Sequence, residues 1–201
     1  MEQDKLLRLL NDVRNGGVSP QDALLKLKME PFEDLGYAKV DHHRSLRHGI
    51  PEVIYGAGKT AEQISGIIDA MRAHGNNNVL VTRVTPEKAE ELGKFISVEY
   101  DAVSRIAIYG RKFEAKTKGY IGVVAAGTSD IPVAEEAAVT AEALGNRVER
   151  LFDVGVAGLH RLLSRLDALM SAKVVIAVAG MEGALATVVG GLVSCPVIAV
   201  P

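Results

Sequence analysis

The 201-residue chain is 48% hydrophobic and 24% charged, the composition of a folded globular protein and not of a disordered, fibrous or disulfide-stapled one. Lys plus Arg total 23 against 25 for Asp plus Glu, and the formal charge of −2 leaves no field to hold a polyanion. Nucleic acid and membrane surfaces are therefore not expected partners, and the single cysteine, Cys195, points to a reducing, cytoplasmic setting.

The chain begins MEQDKLLRLLNDVRNGG, with charges at helical spacing where a signal peptide would need a basic start and an apolar core. Leu6, Leu7, Leu9, Leu10 and Val13 form one apolar helical face, and Asn15-Gly16-Gly17 stops it. Ser19 then caps a second helix with Pro20 at its first position and a stripe through Ala23, Leu24 and Leu27. Segment 37–50, YAKVDHHRSLRHGI, follows neither a helical nor a strand period and reads as a loop. A short strand over 51–55, a helix over 59–74 capped by Thr60, a strand over 78–82, a helix over 86–95 and a strand over 105–109 come next. Segment 111–119, RKFEAKTKG, is charged and unpatterned and reads as a linker, dividing a domain over 1–118 from one over 119–201.

Beyond it the pattern tightens. Apolar runs over 120–125, 148–152, 173–179 and 197–200 alternate with helices over 133–144, 159–169 and 184–192. Continuous apolar runs mark strands buried on both faces, which predicts an α/β, doubly wound parallel sheet with ligands bound beyond the strand C-termini. None of these runs approaches the roughly 20 residues that span a bilayer.

Several loops carry candidate chemistry. Gly127, Thr128, Ser129 and Asp130 lie between a strand and a helix, where backbone N–H groups converge on an anion; a helix cap and a phosphate site are both open readings. Gly180, Met181, Glu182 and Gly183 hold the equivalent position after a later strand, with Glu182 aimed at the same crevice or merely stabilised by the helix N-terminus. Asp153, after the intervening strand, reads more as a cap than as a catalyst. In the first half, Asp41-His42-His43-Arg44, with Arg47 and His48, offers imidazoles and guanidiniums for an anion, a metal ion or solvent. The run Gly56-Ala57-Gly58-Lys59-Thr60 falls short of a nucleotide-hydrolysing P-loop, because Val53 stands where the leading glycine belongs. Cys195 has no neighbouring base or cation in sequence and reads as a structural thiol.

As a set, DHHRSLRHGIPEVIYGAGKTAEQI, GVVAAGTSDIPVAEEA, LFDVGVAGLHRLL and VAGMEGALATVVGGLVSCPVIAVP resemble the LarB family of nickel-pincer cofactor biosynthesis over nearly the whole chain. The resemblance implies a small N-terminal α+β domain followed by a flavodoxin-like sheet of the PurE type, as in aminoimidazole ribonucleotide carboxylases. It further implies carboxylation of nicotinic acid adenine dinucleotide at the pyridinium C5 with CO2, and hydrolysis of its phosphoanhydride to AMP and pyridinium-3,5-biscarboxylic acid mononucleotide. Mg²⁺ assists in that family, and a cysteine thiolate adds to the ring at C4 to make C5 nucleophilic. Homo-oligomers are implied too, since PurE relatives assemble as octamers.

Carried over by position, Gly127, Thr128, Ser129 and Asp130 would hold the ribose-phosphate, with Asp130 or Asp153 hydrogen bonding and Glu182 taking the C5 proton or supporting a metal. Gly180, Met181 and Gly183 would complete the pocket, and His42, His43, Arg44, Arg47, Lys59 and Thr60 would meet the diphosphate or the AMP part. No metal ligand is assigned. The PurE pattern is broken where Asp153-Val154-Gly155-Val156-Ala157-Gly158 replaces its His-Arg segment and where Ala184 stands in place of its essential histidine. Alanine cannot transfer a proton. That leaves a PurE-like carboxylase and a non-catalytic nucleotide-binding subunit as alternatives. Cys195 matches a position before the PVIAVP strand and not the family's reactive position, so the expectation is a C-terminally truncated chain, inactive alone if it ends at Pro201.

Overall fold

In the computed structural model, residues 3–29, 32–42, 44, 49–110, 115 and 117–201 are described. The chain packs as two compact units. The first takes Met1–Glu99 with Ala107–Arg111, and the second takes Tyr100–Ile106 with Lys112–Pro201. The expected linker over 111–119 lies largely outside the described residues.

The first unit starts with α1 (Gln3–Arg14) and α2 (Pro20–Met29), which pack on each other. Ser19 caps α2, its hydroxyl accepting from Asp22 N at 3.0 Å. The segment expected to be a loop instead contains β2 (Lys39–Asp41), paired antiparallel with β1 (Phe32–Asp34), so that Phe32 faces Asp41 in register. These strands are three residues long, too short to show a period of two, and that is why their sequence reads as irregular. After β3 (Ile54–Tyr55) comes α3 (Ala61–Ala73), started by a complete capping box between Thr60 and Gln63. Ile64, Ile68 and Met71 recur at helical spacing and are fully buried, so α3 packs this face on β2 and β4 (Val79–Thr82) and against α4 (Pro86–Leu92). β3 runs parallel to β4, and β6 (Ile106–Tyr109) pairs antiparallel with β4. β5 (Glu99–Asp101) falls at the division between the units.

The second unit holds the doubly wound sheet. Strands β7 (Ile121–Ala125), β8 (Val148–Leu151), β9 (Val174–Val178) and β10 (Val197–Val200) lie in the order β8-β7-β9-β10, all parallel. Taken in chain order this is 2-1-3-4, the flavodoxin-like arrangement. Both faces are covered, as the continuous apolar runs require. Val123, Ala125 and Val178 pack on one face with Ala134 and Ala138 of α5 (Ile131–Ala143). On the other, Val124, Val175 and Ala177 pack with Leu162, Leu169, Leu185 and Val189 from α6 (Leu159–Leu163), α7 (Leu166–Ser171) and α8 (Ala184–Leu192). Arg150 on β8 locks that strand to α5 through a fork of contacts with Glu135 and Glu142, at 2.6 to 3.0 Å.

One predicted element is split. The helix expected over 159–169 begins as a 3-10 turn, Val156–Gly158, and breaks between α6 and α7. Ser164 Oγ donates to Arg161 O at 2.7 Å, the local competition by which a serine bends a helix. No proline or glycine marks the break.

Candidate active site

The parallel strands β7, β8 and β9 end at one edge of the sheet, and β7 sends its two neighbours to opposite sides. A crevice opens at such a switch point. The loops that follow the three strands surround a cavity of about 300 Å³ lined by Gly127, Ser129, Asp130, Asp153, Arg161 and Glu182, among others.

Asp130 organises it. Its Oδ2 accepts from Gly127 N at 2.9 Å and its Oδ1 from Gly180 N at 3.4 Å, so one carboxylate ties the loop after β7 to the loop after β9. Although Asp130 stands at the N-cap of α5, it makes no side-chain cap bond to that helix. Thr128 and Ser129 form the 3-10 turn leading into α5 and are exposed; Ser129 lines the cavity and Thr128 does not.

The loop after β8 is drawn in by Val154 N, which donates to Ala125 O at 3.0 Å. Gly155 passes so close to the first loop that a Cβ there would lie 2.7 Å from Ala126 O, which is why the position is glycine. Asp153 takes a left-handed φ of +58°, a conformation aspartate tolerates. Its Oδ2 pairs with Arg161 Nη1 at 2.6 Å, with the two side chains 50% and 40% exposed. Asp153 therefore orients a guanidinium at the cavity wall and caps nothing.

After β9, Met181 and Gly183 adopt φ of +57° and +64°, and Gly183 N donates to Gly180 O at 3.1 Å. This tight turn leaves Met181 and Glu182 exposed at the cavity mouth, with Ala184 behind them. Glu182 makes no hydrogen bond or ion pair among the described residues. Of the lining residues, none is a histidine or a cysteine. Cys195 is partly buried against the core cluster of β9 and α8 instead.

The remaining sequence candidates lie in the first unit. Lys59 lines a separate cavity of about 280 Å³ with Tyr37, Lys39 and Glu52. Thr60 Oγ1 accepts from Gln63 N at 3.2 Å as the cap of α3. Arg44 is exposed, while His43, Arg47 and His48 lie outside the described residues. His42 is only 4% exposed and does not line that cavity. Its Nε2 lies 3.3 Å from Glu33 Oε2, and its ring stacks on His74 with centroids 3.5 Å apart. Burial, and secondly the adjacent His74, push the His42 pKa below its ordinary value against the opposing pull of Glu33. Sequence reading missed Arg161, Glu33 and His74, because each acquires its partner only through the tertiary fold.

Residues 32–111 match the LarB/PurE-like N-terminal domain, and residues 120–201 match the AIR carboxylase domain. The two matches in this order define a protein of the carboxylase type, built on a flavodoxin-like sheet. The chain belongs to the LarB family. Among its relatives is the uncharacterized protein MJ0165 of Methanocaldococcus jannaschii, 37% identical over 204 residues that cover 96% of this chain and 79% of that protein.

Proposed function

We propose that the protein carboxylates nicotinic acid adenine dinucleotide at the pyridinium C5 with CO2 and hydrolyses its phosphoanhydride, giving pyridinium-3,5-biscarboxylic acid mononucleotide and AMP. The observation that carries this reading is a PurE-type cavity without an imidazole: Ala184 opens α8 where a PurE enzyme needs its proton-transferring histidine. Aminoimidazole ribonucleotide is correspondingly disfavoured as substrate, since its carboxylation needs that group.

The residues divide the work as follows. Gly127, Ser129 and the N-terminal turn leading into α5 receive the ribose-phosphate, with backbone N–H groups and helix dipole favouring the anion. Arg161, oriented by Asp153, pairs with the pyridinium carboxylate. In the LarB-type reaction a cysteine thiolate, which no lining residue of this cavity provides, would have to add to C4 to turn the cationic ring into an electron-rich one whose C5 attacks CO2. The C5 proton then leaves to a base, the thiolate departs and the ring regains its aromaticity. Glu182, exposed at the cavity mouth and without a hydrogen-bond or ion-pair partner among the described residues, is the carboxylate placed to take that proton. Cys195, partly buried against the core cluster and away from the cavity lining, does not supply the thiolate. In the hydrolytic step a water oxygen bonds to one phosphorus and the bridging oxygen leaves with the other phosphate.

The donor set also fits Mg²⁺, a hard ion that takes one or two carboxylates and leaves its other positions to water and substrate phosphate. Glu182 would hold it, because Asp130 and Asp153 are already engaged. Held there, such an ion would supply charge neutralisation at the diphosphate. Glu182→Gln separates the two tasks: excess Mg²⁺ restores the variant if the carboxylate holds the ion and leaves it inactive if it takes the proton.

Parallel incubations with nicotinic acid adenine dinucleotide and with aminoimidazole ribonucleotide, each with bicarbonate and Mg²⁺ and followed by mass spectrometry, test the assignment. Carboxylated mononucleotide from the first alone is expected. Turnover of the second would transfer the protein to the PurE activity, and binding without turnover of either would make it a nucleotide-binding subunit.

A further inference from the structure

We infer that Glu33, His42 and His74 form a binding site for a divalent transition-metal ion of the Zn²⁺ class, in the first unit and independent of the cavity described above. One ligand atom from each residue lies within 4.8 Å of the other two. The three come from separate elements: Glu33 from the middle of β1, His42 from the residue after β2, and His74 from the C-cap of α3. Pairing of β1 with β2 and packing of α3 on β2 bring them together.

The distances match a coordination polyhedron. Glu33 Oε2 lies 3.3 Å from His42 Nε2 and 3.6 Å from His74 Nδ1. In a tetrahedral zinc site with bonds near 2.0–2.1 Å, the edge between two ligand atoms is about 3.3 Å. Both edges from the Glu33 oxygen thus lie near the coordination length, the imidazole ligand atoms lie within 4.8 Å of each other, and two-histidine, one-carboxylate donor sets select zinc-class ions over Mg²⁺ or Ca²⁺.

Burial is graded in a way that suits loading from one side. The side chain of His42 is 2% exposed and fixed, whereas those of Glu33 and His74 are 41% and 34% exposed and leave the fourth corner to water. Two adjustments accompany binding. The His42 and His74 rings, stacked with 16° between their planes, must open into a wedge, and His74, the more exposed of the two, is the ring that would turn. Its Nδ1, 3.0 Å from Ala70 O, becomes a ligand when that contact opens and the ring takes the tautomer with its proton on Nε2.

Equilibrium dialysis of the full chain against Zn²⁺ and against Mg²⁺, with visible absorption of the Co²⁺-loaded protein, tests this. We expect one Zn²⁺ per chain that excess Mg²⁺ does not displace, and a Co²⁺ spectrum of tetrahedral type. His74→Gln and Glu33→Gln should each weaken Zn²⁺ by more than about tenfold, while Cys195→Ser leaves it unchanged. Because His74 and Glu33 are partly exposed, these variants should unfold within a few degrees of wild type without metal; if one does not fold, the other and the Co²⁺ spectrum decide. No retained Zn²⁺, or retention that survives both substitutions, overturns the site.

Discussion

Arg161 and Asp153 form an ion pair at the cavity wall whose proposed role lies in binding and not in stability. Their side chains are 40% and 50% exposed, so the 2.6 Å ion pair is screened by solvent and contributes only about 0–1 kcal/mol to folding. Its effect is to aim a guanidinium into the cavity. Asp153→Asn should therefore leave the melting temperature almost unchanged while raising KM about tenfold or more, as thermal unfolding and steady-state kinetics will show. Arg161→Lys should fail to substitute, because an ammonium cannot reproduce the planar fork that grips a carboxylate. His42 has the opposite character, since burial sets its behaviour. Its pKa is depressed in the folded protein, so the unfolded chain takes up the proton first as pH falls. Its contribution is present above the ordinary histidine value near 6.5 and is lost as pH drops through the folded value. Urea unfolding between about pH 7 and pH 5 should show a loss of stability that His42→Gln flattens. None of these partnerships was legible in the sequence, because Glu33 and His74 reach His42 only once β1, β2 and α3 have packed.

At the scale of elements, the loops after β7 and β8 are held within one atom's tolerance of each other. A Cβ at Gly155 would meet Ala126 O at 2.7 Å, and because that neighbour is backbone the loops would have to part. Gly155→Ala should destabilise the second unit by about 1–3 kcal/mol and disturb Asp153 with it, which chemical denaturation and a rise in KM will report. Elements were legible where local chemistry is strong. Thr60 and Gln63 announce α3 through their capping box, and the unbroken apolar runs announce β7, β9 and β10 because both faces of the sheet are covered. They were illegible where structure is short or locally contested. The β1–β2 ribbon has too few residues to show a period, and Ser164 interrupts a helix whose apolar spacing continues across the break.

For the whole molecule, the parallel sheet and the loops at its C-terminal edge were readable from sequence, and so was the family, through motifs spread along the chain. What the sequence could not give is how Asp130 is used. Its place before a helix predicts a cap, yet the carboxylate joins two loops that are fifty residues apart in the chain. On the proposed function, this edge of the sheet has exchanged PurE chemistry for carboxylation of a pyridinium dinucleotide. The most direct measurement supplies ¹³C-bicarbonate, Mg²⁺ and nicotinic acid adenine dinucleotide to the protein, and locates the label by NMR and mass spectrometry. Label in a new carboxyl group at the pyridinium C5, with one AMP released per label, is the predicted result. AMP released without label, or label incorporated only when aminoimidazole ribonucleotide is supplied, would contradict it.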